Sequence, residues 1–436
     1  MARSTEPPRA HARAHTRGGA SGADMLARLL DAIERELPRA VALRRRLHAH
    51  PELAHAERWT AQTVAQELPV ACATVAGTGL IARLGGQDAP AVAVRAELDG
   101  LPVQERTGAS FSAVGAAMHA CGHDVHMAAL VALTRAAREL EDELPAPLLA
   151  LFQPSEEAYP SGAEQLARVE LAQLAPAAVV AAHIHPELRW GTVALDPGVV
   201  NASCDAVEIT VAGEPSHGAY PHRGRDPILA IAQIVVALHA LQARRIDPLG
   251  AAVLTVGVLE GGTAENVIPT HARARATLRA HRPQERLALR ELVGEVVSGI
   301  AAAHGCRGSV ELTPGEPALA NDPGIVQRAR GLLPRADLAP AAEWRSCGSD
   351  DFAFFGDLAP IAMAFVGLEG AEGFEVRPLH HPELLPPDAA VGAVARAQAV
   401  LYLAAAAARA SVPAVHAEPT RATAVERPTN GPVGAA

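Results

Sequence analysis

Four short runs of this sequence gather side chains that bind metals and move protons. Residues 118–126 read Met-His-Ala-Cys-Gly-His-Asp-Val-His, and Cys121 and His123, two apart around Gly122, can point at one cation. A thiolate with an imidazole is a donor set for zinc-like ions. Residues 153–157 read Gln-Pro-Ser-Glu-Glu directly after an apolar run. Adjacent carboxylates leaving a strand diverge, so one can hold a metal while the other faces the water which that metal activates. A solvated acidic loop would read the same way. His183 and His185 flank Ile184, and strand alternation puts both on one side, one as ligand and one as bystander. His380-His381-Pro382 completes the set, unless it is an ordinary polar turn.

The elements needed to position these runs follow from apolar spacing. A helix is expected over residues 25–50, interrupted by Pro38, and a second over 61–68 with Thr60 as N-cap. Strands are expected over 80–84, 91–96, 147–152 and 179–184, alternating with helices over 125–140 and 163–169. That alternation argues for an α/β layer structure with a largely parallel sheet, whose strand ends collect ligands. From residue 205 the pattern changes: strand 205–212, helix 227–243, strands 252–259 and 273–280, helix 283–304, strand 309–313. This β-α-β-β-α-β order is the ferredoxin-like arrangement. Strand 361–366 and helix 387–408 then return to the first layer. The expected organisation is therefore a metal-binding catalytic domain from 25–200 and 317–410, an inserted domain over 201–316, and disordered tails at 1–24 and 411–436.

Composition narrows the function class. The 436 residues carry a formal net charge of -10 and contain no lysine, so a nucleic-acid or anionic-membrane surface is not expected. Five scattered cysteines (72, 121, 204, 306, 347) form no disulfide framework and suit a reducing, cytoplasmic setting. The Arg- and Pro-rich N-terminal stretch lacks the apolar segment of a signal peptide, and no run is expected to span a membrane.

Ordered along the chain, these motifs resemble the aminoacylase/carboxypeptidase superfamily of metal-dependent hydrolases, in its branch of hippurate hydrolases and indole-acetyl-amino-acid hydrolases. The resemblance runs from about Arg44 to Ala408. It includes the stretch at 46–53 (Arg-Leu-His-Ala-His-Pro-Glu-Leu), the runs at 119–126 and 153–157, and Ser-His-Gly-Ala-Tyr-Pro-His at 216–222. It continues through Gly-Gly-Thr-Ala-Glu-Asn-Val-Ile-Pro at 261–269, Gly-Ser-Asp-Asp-Phe at 348–352 and Leu-His-His-Pro at 379–382.

The resemblance implies two divalent ions, zinc or manganese with cobalt as a third option. Cys121, His123, Glu157, His183 and His380 would be the ligands, Cys121 bridging. It implies Glu156 as general base, His217 reaching the reacting oxygen of a neighbouring subunit, and Asn266 and Arg279 holding substrate. The inserted domain would serve as lid and dimerisation surface of a homodimer. The implied reaction is hydrolysis of an N-acyl amino acid, Glu156 taking a proton from the attacking water. Two departures stand out: Glu97 replaces the usual aspartate in Arg95-Ala-Glu-Leu-Asp99, and Asp350 replaces a glutamate. Asp99, expected to orient the ligands, is kept. Alternatives are a dipeptidase or aminobenzoyl-glutamate-type hydrolase and, outside enzymes, a decayed metal- or ligand-binding homologue.

Overall fold

The computed structural model describes residues 22–410 apart from Asp88. The tails expected at 1–24 and 411–436 fall outside these, save Gly22–Asp24, which are helical. The first helix, Gly22–His48, runs unbroken through Pro38. A proline removes one helical hydrogen bond. Buried residues on both sides of it, Leu29, Ile33, Leu43 and Leu47 among them, hold the helix against the core. The second helix, Arg58–Glu67, starts before Thr60. Thr60 is not its cap: its amide and hydroxyl both donate to a Glu52 carboxylate oxygen, at 2.8 and 2.9 Å.

Eight strands form one mixed sheet. From edge to edge they are Cys72–Val75, Gly79–Leu84, Leu148–Gln153, Val92–Glu97, Ala178–Arg189, Ile361–Glu369, Thr192–Ala194 and Ala339–Pro340. The four central strands, Leu148–Gln153 through Ile361–Glu369, run parallel. Both faces are covered. Alternate residues of the central strands enter two separate cores: Val92, Val94, Leu148, Ala150 and Phe152 face one, and Ala93, Leu149 and Leu151 the other. Helices Gly22–His48, His123–Glu139 and Ala389–Ala410 supply the first core. This is why these strands read as continuous apolar runs rather than alternating ones.

The fifth strand departs from expectation. Ala178–Arg189 runs past Ile184 and through Pro186, because the parallel Ile361–Glu369 strand continues to pair with it. His183 therefore lies inside a strand. It is nevertheless level with the sheet's carboxyl edge, since pairing with Val92–Glu97 stops at Arg95 and Ala181.

Residues 203–314 build a second sheet of four antiparallel strands, ordered Ala252–Gly261, His271–Ala280, Ser203–Ala212, Arg307–Pro314. Helices Pro227–Arg245 and Pro283–Ala303 cover one face and share a separate core with it. Among the described residues, two helices are long and apolar enough to cross a membrane by length and composition alone: Ala389–Ala408, mostly buried, and Pro227–Arg245, mostly exposed. The first lies within the larger core.

Candidate metal centre

The chemistry-bearing residues leave the carboxyl ends of neighbouring parallel strands. Val92–Glu97 leads to Asp99, Leu148–Gln153 leads to Glu156 and Glu157, and His183 lies level beside them. Helix His123–Glu139 begins in the same place. Gly122 precedes it with φ +83°, and a Cβ there would lie 2.4 Å from the Ile184 side chain. Only glycine fits between Cys121 and His123. The late loop is tied in by its backbone, the His380 amide donating to the Ala120 carbonyl at 2.8 Å.

The five expected ligands and the expected base come together. Cys121, Glu157 and His380 offer one ligand atom each within 4.8 Å of one another, and so do His123, Glu156 and Glu157. Cys121 Sγ lies 3.4 Å from His183 Nε2, and His380 Nε2 lies 3.3 Å from a Glu157 oxygen. Both inner histidines are oriented by carbonyls. His123 Nδ1–H donates to the Asp99 carbonyl at 2.8 Å, and His183 Nδ1–H to that of Ile184 at 2.6 Å. In each ring this turns Nε2 inwards, where, freed of any proton, it presents the lone pair a metal needs. The Asp99 side chain also accepts the Glu157 amide, at 2.9 Å, so one buried residue, through its carbonyl and its carboxylate, sets two of the expected ligands.

The donor set fits cations. His123 Nε2 and one Glu157 oxygen are buried without a hydrogen-bond partner. Buried polar atoms left so are costly unless something binds them. In the protein alone, burial, Glu157, Asp350 and Asp351 push the Glu156 carboxyl well above its usual range. Burial and the same two glutamates raise the Cys121 thiol. Against burial, Glu97, Asp99 and Glu157 lift His123 to about 10. Protons accumulate where negative charge is unbalanced, and divalent cations would displace them.

Sequence reasoning missed the layer beneath. Arg95 is fully buried, pairs with Glu97 and lies 3.0 Å from Asp351 and 3.4 Å from Asp350. Its Nε donates to Gln153 at 2.8 Å. Glu97 accepts from His126 Nδ1–H at 2.8 Å, and His126 Nε2 accepts the Ile184 amide at 3.0 Å. Burial raises Asp351 to about 7, Arg95 opposing and Asp350 adding to it. The available signal was an arginine inside an otherwise apolar strand, which requires anionic partners. The extra methylene of Glu97 is used: it spans from Arg95 to His126.

A cavity of about 280 Å³ opens beside the cluster, lined by Glu156, Glu157, Tyr159, Arg279, Ser349 and His380 among others. Arg279 comes from the second sheet and donates to the Cys347 carbonyl at 3.0 Å. His217 and Asn266 are not among its lining residues. Both are exposed: His217 faces Val267 on a short strand pair, and Asn266, in the turn just before Val267, accepts the Gly218 amide on its carbonyl at 2.7 Å.

Residues 93–402 match peptidase family M20/M25/M40. The chain belongs to the M20 family. This M20 protein is a metal-dependent amidohydrolase. It is 33% identical over 369 residues to N-acetyl-L-cysteine deacetylase of Bacillus subtilis, covering 83% of this chain and 86% of that one. It is 33% identical over 396 residues to IAA-amino acid hydrolase ILR1-like 2 of Arabidopsis thaliana, covering 87% and 88%. Among solved structures, the YXEP protein of Bacillus subtilis, described as a dinuclear metal binding peptidase of the M20 family, superposes with a TM-score of 0.74. Its identity is 29%, and the match covers 85% of this chain and 98% of that one.

Proposed function

We propose that this chain hydrolyses the amide bond of N-acyl amino acids, with Glu156 as general base beside two divalent ions held by Cys121, His123, Glu157, His183 and His380. The observation that carries the reading is the division of labour between adjacent carboxylates. Both stand near His123 Nε2, at 3.8 and 3.9 Å, and both line the cavity, but only Glu157 joins Cys121 and His380 as a third donor. The bound ions would supply Lewis acidity, making water a better acid and polarising the amide carbonyl. Glu156 takes the water's proton on a carboxylate oxygen and later hands it to the departing amine nitrogen. Arg279 offers its guanidinium to the amino acid's carboxylate from the cavity wall. Asp99 keeps His123 and Glu157 aimed.

His217 and Asn266 act, in this reading, on the cavity of a second subunit. A homodimer through the second sheet is supported by the Pro227–Arg245 helix, which leaves Leu229 51% and Val236 70% exposed, and by the open edge of Ala252–Gly261. Zinc or manganese suits the donors, cobalt being the further option. Five free cysteines favour a reducing compartment, the cytoplasm.

Glu156→Ala is the test. Turnover of a hippurate-like substrate should fall by about 10²–10⁴-fold while metal content stays that of the wild type. Activity within about tenfold of wild type removes Glu156 from its role. Chelation should abolish hydrolysis and metal should restore it, and an unblocked dipeptide assayed in parallel sets N-acyl preference against dipeptidase activity.

A further inference from the structure

Glu156 is preceded by a residue in an unusual conformation. Ser155 has φ +49°, the left-handed region that a side chain bearing a Cβ disfavours. Such strain persists only where the surroundings impose it. Here every polar group of Ser155 is engaged. Its amide donates to a Glu57 carboxylate oxygen at 2.8 Å. Its hydroxyl lies 2.9 Å from the Ala158 carbonyl and 3.0 Å from His55 Nε2. Its carbonyl accepts the Gly162 amide at 3.0 Å. Gly162 cannot be replaced cheaply, since a Cβ there would fall 1.8 Å from the Pro154 oxygen.

Glu57 is the part of this arrangement that local chain geometry does not explain. It is completely buried, and its second oxygen accepts from the Thr78 hydroxyl at 2.7 Å. Hydrogen-bonded donors from neutral groups repay little of the cost of burying a carboxylate. Glu57 is also the residue before helix Arg58–Glu67, yet its side chain makes no capping bond to that helix. Its reach goes instead to the loop carrying the two glutamates.

We infer that Glu57 is a positioning residue: by accepting the Ser155 amide it fixes the left-handed turn that aims Glu156 and Glu157 into the cavity. Without it, Ser155 relaxes towards an extended conformation and the base swings away from the reacting water. Displacements of about 1 Å are enough to cost on the order of a hundredfold in rate. The inference rests on Glu156 being the base, and the experiment keeps the two apart.

Glu57→Ala, Glu57→Gln and Glu156→Ala are compared in the full chain by steady-state kinetics, thermal melting and amide hydrogen exchange at Ser155 in the metal-free protein. Glu57→Ala should lower kcat by about tenfold or more with KM within about threefold. It should also speed exchange at Ser155 by about a hundredfold. Glu57→Gln keeps an oxygen for the Ser155 amide and should stay within about threefold of wild type in kcat, with Ser155 protected. If Glu57→Ala does not fold, Glu57→Asp, which withdraws the acceptor by one methylene, should show the same kinetic split. The inference is overturned if Glu57→Ala keeps full kcat while Glu156→Ala is inactive, or if Glu57→Gln is as impaired as Glu57→Ala. An active Glu156→Ala overturns the base assignment itself, whatever Glu57 does.

Discussion

The two sheets of this molecule bury their residues differently. In the larger one the central strands Val92–Glu97 and Leu148–Gln153 are buried at every position, with helices on both faces. In the smaller one, strand His271–Ala280 alternates exposed and buried residues, and a single helical layer covers one face. Charge follows the same division. Beneath the metal cluster, Arg95 pairs with Glu97, Asp350 and Asp351 with almost no access to solvent. On the open face of the smaller sheet, Arg273 pairs with Glu208 at 3.2 Å with side chains 49% and 36% exposed. A dry site makes fixed charges strong and costly to leave unpaired; a wet face makes the same chemistry cheap. The first region concentrates reactivity, and the second presents surface.

Equivalent substitutions in the two networks should therefore have unequal costs. Arg95→Leu leaves three carboxylates buried without their cation and should destabilise the fold by about 3–5 kcal/mol. Arg273→Leu should cost about 0–1 kcal/mol. Urea unfolding of both variants measures the difference. Equal losses would mean that the two networks do not differ in the way their burial indicates.

A second buried network sharpens the point through pH. His48 is enclosed by Asp124, at 3.0 Å, and Glu105, at 3.1 Å, with Arg44 also on Asp124. Burial works against its protonation, but Asp124 and Glu105 raise it from 6.5 to about 9. A folded-state value above the unfolded one means that the folded protein holds the proton more tightly. That contribution is complete below pH 6.5 and disappears as pH rises through about 9. It should amount to about 3 kcal/mol. Denaturant midpoints measured across this window should fall for the wild type and stay comparatively flat for His48→Gln. A wild-type curve as flat as the variant's would show His48 neutral in the folded protein.

How much could be read from the sequence follows the same contrast. The one-sided sheet was legible because exposed and buried residues alternate, and its six elements appear in the expected order with ends shifted by a few residues. The pair Glu156 and Glu157 was legible as a run leaving the apolar strand Leu148–Gln153, whereas His183 lies inside its strand and Cys121 just before helix His123–Glu139. The end of strand Ala178–Arg189 was misread, since Pro186 ordinarily stops a strand and only the neighbouring Ile361–Glu369 keeps it paired. Thr60 was misread as a cap because the acceptor that engages it, Glu52, competes from outside the helix. Glu57 was invisible: 98 positions separate it from the Ser155 amide it accepts, and no spacing rule connects them. Long-range polar partners depend on packing that periodicity does not encode.

The smallest expected effect on folding belongs to the most exposed large apolar side chain of helix Pro227–Arg245. Val236 on Pro227–Arg245 is 70% exposed, in a helix whose apolar length exceeds what its own core uses. Val236→Asp removes no buried contact of the single chain, so the unfolding free energy should change by no more than about 0.5 kcal/mol. If that face meets a second copy, the same charge is buried against an apolar partner. The molecular mass in solution should then fall towards that of one chain, because an unpaired charge in an interface is disfavoured by far more than one on a surface. Light scattering of wild type and variant at equal concentration reads this directly. An unchanged mass with unchanged stability places the contact elsewhere, and an unstable variant would show that this helix is closed in the single chain after all.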